Sequence, residues 1–354
     1  MKSQPTDPRI RRQYWIQLSV FLAIVLGGLV GLLVINNLLL SFVVAVVCTY
    51  IVSPFVSNLE GAGISRLNSI IISYVVFSTI SALAVWALSP FLVEQFQGLK
   101  ENLPQYVDGV VKLTENINHM VNANAGDLIH LDLGDQVRSW LTDQSRRLVE
   151  GLPSFLSSSA SVLILSPLLG FFMLKDGRQV SRELLRLVPN NIFEMVLSLE
   201  NQISDQIAHF IRARLLESLI VGFVVMLLLW ITGFPFAILL AVFAAITNLI
   251  PYIGPIVGAA PGIVIALVSS GLGLKLVLVA LVYLIAQLID VFFIIPLVVA
   301  RVVNLHPVTV ILVVVLGAEI MGILGMIISI PVAAALKVTL TTLYRHLTDY
   351  QTQV

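Results

Sequence analysis

The chain has 354 residues and carries 20 basic and 20 acidic side chains, so its formal net charge is zero. Hydrophobic residues make up 58% of the sequence and charged residues 11%, which excludes an ordinary soluble domain. The zero net charge gives no basis for nucleic-acid binding, and the single Cys48 excludes an intrachain disulfide. The composition predicts a protein embedded in a lipid bilayer.

Apolar stretches with at most one charged residue, near or beyond membrane-spanning length, recur along the sequence. They cover residues 14–35, 37–57, 68–91, 153–174, 215–233, 276–299 and 307–336. A further apolar run, from Phe234 to Val268, is much longer than the roughly 20 residues that cross a bilayer. We therefore predict an all-α, polytopic membrane helical bundle of about seven or eight membrane segments, two of them broken, with polar helical inserts.

Basic residues cluster before the first span and after the fourth, which predicts that both clusters lie in the cytoplasm. The clusters are Lys2, Arg9, Arg11 and Arg12, and Lys175, Arg178, Arg182 and Arg186. The predicted organisation is transmembrane helices one to three in 1–91, an extracytoplasmic helical insert in 92–152, a fourth transmembrane helix in 153–174, cytoplasmic amphipathic helices in 175–212, a transport core in 213–340, and a cytoplasmic tail in 341–354. Both termini are then cytoplasmic.

The outer insert carries apolar residues at alternating steps of four and three from Leu92 to Met120, which is a heptad pattern. Pro104 lies within this pattern and predicts the start of a new helix. The insert helices either pack on each other within one subunit or make contacts between subunits, and the sequence leaves both open.

Two apolar segments contain residues that interrupt helices. The predicted helix breaks are Pro251, Gly254, Pro255 and Gly258 in segment 235–270, and Gly322, Gly325 and Pro331 in segment 307–336. Each segment is either a re-entrant hairpin or one strongly bent crossing. The hairpin alternative keeps Arg301 on the cytoplasmic side, as the charge rule prefers. Broken apolar segments of this kind point to a transport site.

Ionisable groups inside membrane spans mark transport pathways by default. Asp290 lies deep in span 276–299, and Tyr283 and Gln287 precede it on the same helix face. Glu319 lies near the middle of 307–336, and Asn248 precedes the Pro251 break. These five residues are the predicted pathway, with buried polar contacts between helices as the alternative.

Ion pairing is predicted among Glu217, Arg214 and Arg301, with Glu217 at the cytoplasmic end of a span. No H-E-x-x-H, G-x-S-x-G or G-x-x-x-x-G-K-[ST] pattern occurs in the sequence. We therefore predict that the protein is not an enzyme, and we predict no catalytic residues, no cofactor and no metal site.

Several stretches together resemble the autoinducer-2 exporter family of bacterial multi-pass membrane proteins. The matching stretches are Pro54-Phe-Val, Leu92-Val-Glu-Gln95, Asn102-Leu-Pro104, Phe171-Phe-Met-Leu-Lys-Asp-Gly177, Asn248-Leu-Ile-Pro-Tyr-Ile-Gly-Pro255, Gln287-Leu-Ile-Asp290, Asn304-Leu-His-Pro307 and Gly317-Ala-Glu319. The chain departs from the family pattern at Arg212-Ala-Arg214 and at Val291-Phe292.

The resemblance implies an exporter or permease for a small polar solute of the autoinducer-2 type, a quorum-sensing signal, in the inner membrane. It also implies a homo-oligomer, a pentamer. Some family members are sodium/proton antiporters, so antiport is the alternative function. A membrane scaffold that uses the outer helices to hold partners is a third possibility.

Overall fold

The structure is a computed structural model that describes residues 38–125, 133–189, 192–299 and 305–352, with isolated positions between 16 and 34. Every regular element in these ranges is a helix, which confirms the predicted all-α membrane bundle. In chain order the elements are α1 (Leu38–Gly61), α2 (Arg66–Ala125), α3 (Leu133–Arg186), α4 (Phe193–Ile231), α5 (Ala237–Thr247), α6 (Ile253–Ser270), α7 (Leu274–Ile289), the π-helical segment Asp290–Val299, and α8 (Pro307–Thr352).

Within the described residues, six helices are long and apolar enough to cross a membrane. They are Leu38–Gly61, Arg66–Asn116, Phe193–Ile231, Ile253–Ser270, Leu274–Leu297 and Pro307–Tyr344. Large apolar side chains such as Trp86, Phe223 and Phe292 are exposed on these helices, as expected of surfaces that face lipid. The predicted span 153–174 falls within α3, and the predicted span 14–35 lies mostly outside the described residues.

The chain forms two compact units. The first unit comprises 1–80, 158–213 and 302–354, and the second comprises 81–157 and 214–301. The core of the first unit contains Val52, Val56, Ile70 and Leu174. The larger core of the second unit is built by α4 to α7 and the start of the π-helical segment, with Leu99 and Tyr106 of α2 packed against it.

In the second unit the chain reverses direction between α5 and α6, and we call this pair the first hairpin. A Cβ atom at Gly254 would lie 2.1 Å from the Thr247 carbonyl oxygen, and one at Gly258 would lie 3.1 Å from Ala244 Cα. Because later residues of α6 contact earlier residues of α5, the two helices are antiparallel. Glycine is required at these positions, since any side chain would separate the two backbones.

The turn of the first hairpin, residues 248–252, ends α5 by two local effects. Tyr252 has a φ of 64°, outside the helical region, and Pro251 has no N–H to continue the helix. The N–H groups of Leu249 and Ile250 donate to carbonyls three residues earlier, which closes the last turn tightly.

In the first unit α8 folds back on itself at Met321 and Gly322, and we call its two arms, 307–320 and 323–352, the second hairpin. Gly322 has a φ of 60° and a ψ of −140°, a conformation that favours glycine. A Cβ atom at Gly325 would lie 1.9 Å from the Gly317 carbonyl oxygen. In a straight helix residues eight apart lie about 12 Å apart along the axis. The close approach therefore shows that the arms are antiparallel.

The prediction that a new helix starts at Pro104 is wrong, because α2 runs through both Pro90 and Pro104 without a break. A proline removes only one helical hydrogen bond, and packing on either side holds the helix together. Leu99 and Tyr106, on the two sides of Pro104, both pack against the core of the second unit.

Only two of the seven predicted helix breaks lie at a reversal, namely Pro251 and Gly322. The prediction is wrong for Gly254, Pro255 and Gly258, which lie in α6, and for Gly325 and Pro331, which lie in the second arm of α8. Pro255 is tolerated because it occupies the first turn of α6, where N–H groups have no helical partner. The glycines instead allow close contact between helices.

Candidate functional site

Asp290 is the central residue of the candidate site. It is the first residue of the π-helical segment that continues α7, and only 3% of its surface is exposed. Its backbone N–H donates to the carbonyls of Ala286 and Gln287, so the backbone is held although the helix widens at this point. Local π-helical geometry is rare and occurs frequently at functional sites, because it changes the direction in which side chains point.

Glu217 and Arg214 form a buried ion pair on α4. The two residues are three apart, and the Arg214 guanidinium donates from Nη1 to Glu217 Oε1. Glu217 is 1% exposed and Arg214 is 9% exposed. They are two of the three residues predicted to pair, and the pair is buried within the second unit. Arg301, the third predicted partner, lies outside the described residues.

The contact between α4 and α5 shows the depth of Glu217. A Cβ atom at Gly222 would lie 2.6 Å from Ala245 Cβ, and a short turn connects the two antiparallel helices. Glu217 lies five residues before Gly222, and Ile250 lies five residues after Ala245. Since both helices advance about 1.5 Å per residue, Glu217 lies at the depth of the turn in the first hairpin.

The contact between α6 and α7 gives the depth of Asp290 in the same way. A Cβ atom at Gly262 would lie 2.6 Å from the Tyr283 hydroxyl oxygen, and these two helices are also antiparallel. Asp290 is seven residues beyond Tyr283, and Pro255 is seven residues before Gly262. Asp290 therefore lies at the depth of the first turn of α6, beside the turn of the first hairpin.

Asn248 begins this turn and is 2% exposed. Its Cα atom is 2.8 Å from where a Cβ atom at Gly254 would lie, so it is also at the level of the first turn of α6. Asp290 interacts electrostatically with both Glu217 and Arg214, which agrees with the depths inferred from the helix contacts. We call the buried residues at this level the polar layer. Its members are Arg214, Glu217, Ser218, Asn248 and Asp290.

The polar layer contains buried polar atoms that have no hydrogen-bond partner among the described residues. These atoms are Arg214 Nε, Glu217 Oε2, Ser218 Oγ, Asn248 Nδ2 and Asp290 Oδ1. Buried polar groups are normally paired, because an unpaired group costs about 1–3 kcal/mol. Unpaired donors and acceptors at one depth indicate a site that binds a polar species.

The charges of the polar layer are unequal. The layer contains two carboxyl groups, those of Glu217 and Asp290, and one guanidinium, that of Arg214, which pairs with Glu217. It therefore carries one excess negative charge when both acids are ionised. An uncompensated charge in a buried site is costly, and one proton or one monovalent cation restores the balance. The described residues contain no cluster of three or more histidine, cysteine or acidic side chains that could hold a metal ion.

The other predicted pathway residues, Gln287, Tyr283 and Glu319, do not belong to the polar layer. Gln287 is partly exposed one turn before Asp290, and Tyr283 packs against Gly262 about 10 Å along the same helix. The Tyr283 hydroxyl has no hydrogen-bond partner among the described residues. Glu319 is exposed on the first arm of the second hairpin and belongs to the first unit.

Sequence reasoning did not place Arg214, Glu217 or Ser218 beside Asp290. A signal was present, because Glu217 interrupts an apolar run and lies one helical turn after a basic residue. The sequence does not show how deep α4 lies relative to span 276–299, since this depth depends on contacts such as that between Gly222 and Ala245.

Comparison with known proteins identifies the family. The AI-2E family transporter pattern matches residues 22–345. The chain is 30% identical over 312 residues to the putative transport protein YueF of Bacillus subtilis strain 168, which covers 86% of this chain and 83% of that protein. It is 29% identical to the putative permease PerM of Escherichia coli K12, over 89% of this chain and 90% of that protein. It is 23% identical to the AI-2 transport protein TqsA of the same strain, over 92% of each. These matches extend over nearly the whole sequence and confirm the resemblance noted from its motifs, so the chain, a multi-pass membrane protein, belongs to the AI-2E family of transporters.

Proposed function

We propose that this chain couples the passage of a small polar solute across the bacterial cytoplasmic membrane to the movement of a proton or a sodium ion. The observation that carries the proposal is the charge imbalance of the polar layer, which holds the two buried acids Glu217 and Asp290 and the one guanidinium of Arg214. A site of this kind is costly when empty and balanced when it holds one monovalent cation. Ionisable residues at membrane depth are the usual sites of such coupling.

The first hairpin is the element that brings the cation and the solute together in this proposal. At about 1.5 Å per residue, the 11 residues of α5 extend about 16 Å and the 18 residues of α6 about 27 Å, so α5 is too short to cross a bilayer of about 30 Å. We infer that the hairpin is re-entrant, with its open end at the outer face and its turn inside the membrane. The unpaired Asn248 amide then meets the solute at the depth where the carboxylates hold the cation.

The solute that we propose is small, uncharged and rich in hydroxyl groups. Asn248 Nδ2 and the Tyr283 hydroxyl can donate hydrogen bonds, and Gln287 can both donate and accept. TqsA, a relative at 23% identity, is described as an AI-2 transport protein, so autoinducer-2 is the first solute to test, with export as the expected direction. Binding of the cation on one side of the membrane would favour the conformation that binds or releases the solute there.

Sodium/proton antiport is a second candidate, and the composition of the layer favours it. The two unpaired acidic atoms, Glu217 Oε2 and Asp290 Oδ1, are both oxygens, and oxygen ligands suit a proton and a sodium ion equally. An antiporter would load the same pair alternately with each ion and would need no solute. In either case we expect a homo-oligomer, as the family resemblance implies.

The decisive experiment measures flux into and out of proteoliposomes with the purified protein. Labelled autoinducer-2 and sodium-22 are followed under imposed pH and sodium gradients, for the wild type and for Asp290→Asn. Asp290→Asn keeps the side-chain shape but removes the charge imbalance, so gradient-driven flux should fall at least about tenfold, the effect of about 1.4 kcal/mol. Glu194→Gln, which changes an exposed acidic residue twenty positions before Arg214 on α4, is the control.

The two candidates give different outcomes in this experiment. Autoinducer-2 flux that depends on a cation gradient supports solute transport, whereas sodium flux that needs only an opposing pH gradient supports antiport. A wild-type protein that moves neither species under any gradient, although folded and correctly inserted, would contradict both.

The membrane topology is tested by cysteine labelling on a Cys48→Ala background. If the first hairpin is re-entrant and the N-terminus is cytoplasmic, Leu272→Cys between α6 and α7 should react with an impermeant maleimide from outside. Gln202→Cys in α4 should react only from the cytoplasmic side. Both positions reacting from the same side would show that the orientation proposed for the first hairpin is wrong.

A further inference from the structure

The N-terminus of α5 lacks a local cap. The first N–H groups of a helix have no partner within it, and a polar side chain at the preceding residue usually accepts from one of them. The residue that precedes α5 is Phe236, which has no acceptor in its side chain and has a left-handed backbone with φ 60°. A partner for these N–H groups must therefore come from elsewhere in the chain.

Gln95 of α2 supplies this cap. Its side-chain oxygen accepts a hydrogen bond of 2.9 Å from the backbone N–H of Leu239, the third residue of α5, and the contact is partly buried. The third N–H of a helix is one of the two that an N-cap side chain normally satisfies. Gln95 thus performs, from 144 positions away in the sequence, the task that Phe236 cannot perform.

Two glycines on the same face of α2 hold both arms of the first hairpin at its open end. A Cβ atom at Gly98 would lie 3.2 Å from a ring carbon of Phe236, at the start of α5. One at Gly109 would lie 2.2 Å from Val268 Cγ1 near the end of α6. Positions 95, 98 and 109 lie within about 60° of each other around α2, at 100° per residue. We call Gln95, Gly98 and Gly109 the seat.

We propose that the seat is a fixed anchor for the open end of the first hairpin and that Gln95 is the positioning residue that holds α5 on it. The inference rests on the proposed function, in which this hairpin carries part of the transport site. The contacts between α2 and the hairpin that carry this inference lie at the open end, at Leu239, Phe236 and Val268. An open end held in this way should stay fixed during transport.

The first test measures the seat directly and does not depend on transport. On a Cys48→Ala background, Gly109→Cys and Val268→Cys are combined, because a Cβ atom at Gly109 would lie 3.1 Å from Val268 Cβ, slightly less than the roughly 3.5–4.5 Å between the Cβ atoms of a disulfide. Oxidation should cross-link most of the protein. Adding Gln95→Leu should lower the cross-linking rate about fivefold, which corresponds to the ~1 kcal/mol of a helix N-cap.

Matched variants separate positioning from a general effect on folding. Gln97→Leu changes the same residue type on the same helix at an exposed position, and it should leave the cross-linking rate unchanged. Gln95→Glu keeps an acceptor oxygen near the N-terminus of α5 and should restore the rate. If Gln95→Leu cross-links as fast as Gln97→Leu, Gln95 does not hold the hairpin and the proposal is wrong.

The second test asks whether the anchor is fixed. The oxidised Gly109→Cys/Val268→Cys protein should transport within about twofold of its reduced form, because the disulfide fixes a contact that does not open. Gln95→Leu should lower the maximum flux of the folded protein while Gln95→Glu retains it. Transport that stops on oxidation and returns on reduction would overturn the fixed anchor. If flux through the wild-type protein did not depend on a proton or sodium gradient, the proposed function would be wrong, whereas the cross-linking result would still hold.

Discussion

The two hairpins use the same backbone device in different surroundings. In the first hairpin the backbones approach closely at Gly254 and Gly258, and in the second they do so at Gly317 and Gly325. In each, a carbonyl oxygen lies where a side chain would otherwise be, so both pairs of helices pack at backbone contact. Small residues at helix contacts are typical of membrane proteins, where such packing replaces the hydrophobic effect between helices.

The difference between the hairpins lies in the polar residues near their turns. Asn248 in the turn of the first hairpin is 2% exposed and lies at the depth of Glu217 and Asp290. Glu319, two residues before the reversal of the second hairpin, is exposed. The comparison teaches that a helix reversal alone does not identify a transport site. We expect a transport site where a reversal lies at the depth of buried charged residues, as proposed for the first hairpin.

The largest expected effect comes from breaking the charge pairing beside the first hairpin. Arg214→Gln leaves Glu217 and Asp290 buried without a counter-charge, and breaking a buried pair in this way costs about 3–5 kcal/mol. Thermal unfolding of the purified protein in detergent should show this as a large decrease in Tm. The double variant Arg214→Gln/Glu217→Gln should recover part of the loss, because it removes one of the two uncompensated carboxylates.

The control for this prediction is Arg138→Gln. Arg138 pairs with Asp108 at 3.1 Å, but both side chains are more than half exposed, so its loss should cost at most about 1 kcal/mol. A decrease for Arg214→Gln no larger than that for Arg138→Gln would show that the polar layer is not desolvated.

The next effect tests what the two hairpins share. Gly254→Ala and Gly325→Ala each place a Cβ atom within 2.1 Å of a backbone carbonyl oxygen, so the helices must separate. We expect each to destabilise the protein by about 1–3 kcal/mol or more, the cost of overpacking. Gly177→Ala is the control, because nothing lies within 4 Å of its Cβ position in α3. It should be neutral or stabilising by up to about 1 kcal/mol.

Unequal outcomes would sharpen the comparison. If Gly325→Ala behaves like Gly177→Ala while Gly254→Ala is destabilised, the second hairpin does not hold its arms in backbone contact. Size-exclusion profiles and Tm of the three variants, prepared side by side, give the answer.

Much of the fold follows from the sequence because membrane helices have a simple requirement. Long apolar runs must be helical where they cross a bilayer, so the positions of 37–57, 68–91 and 276–299 could be read directly. Two turning points were also readable, since Pro251 and Gly322 carry local reasons to leave helical geometry. Pro104 was misleading, because packing on both sides of a proline can hold a helix that the proline alone weakens.

The candidate site was only half predictable for a related reason. Asp290 stands out as a charge within an apolar run, and Asn248 stands out beside a proline. The proximity of Asp290 to Glu217 depends on how far neighbouring helices are shifted along each other, and so does the hydrogen bond from the Leu239 N–H to Gln95. That shift is fixed by side-chain and backbone contacts between elements distant in sequence, and no local pattern contains it.

The smallest expected effect concerns Glu319, the predicted pathway residue of the second hairpin. Because the Glu319 side chain is exposed, Glu319→Gln removes a charge that lies outside the buried polar layer. We expect a gating role, with flux lowered by less than about threefold, or roughly 0.7 kcal/mol, and with unchanged dependence on sodium and pH. Proteoliposome flux of Glu319→Gln, measured across sodium and pH gradients beside Asp290→Asn, tests this.

The control is Glu194→Gln, which changes an acidic residue in the first turn of α4. A shift in the sodium or pH dependence of Glu319→Gln as large as that of Asp290→Asn would mean that both hairpins contribute a coupling carboxylate. The proposed difference between the hairpins, in which the first carries the transport site and the second has a gating role, would then be wrong.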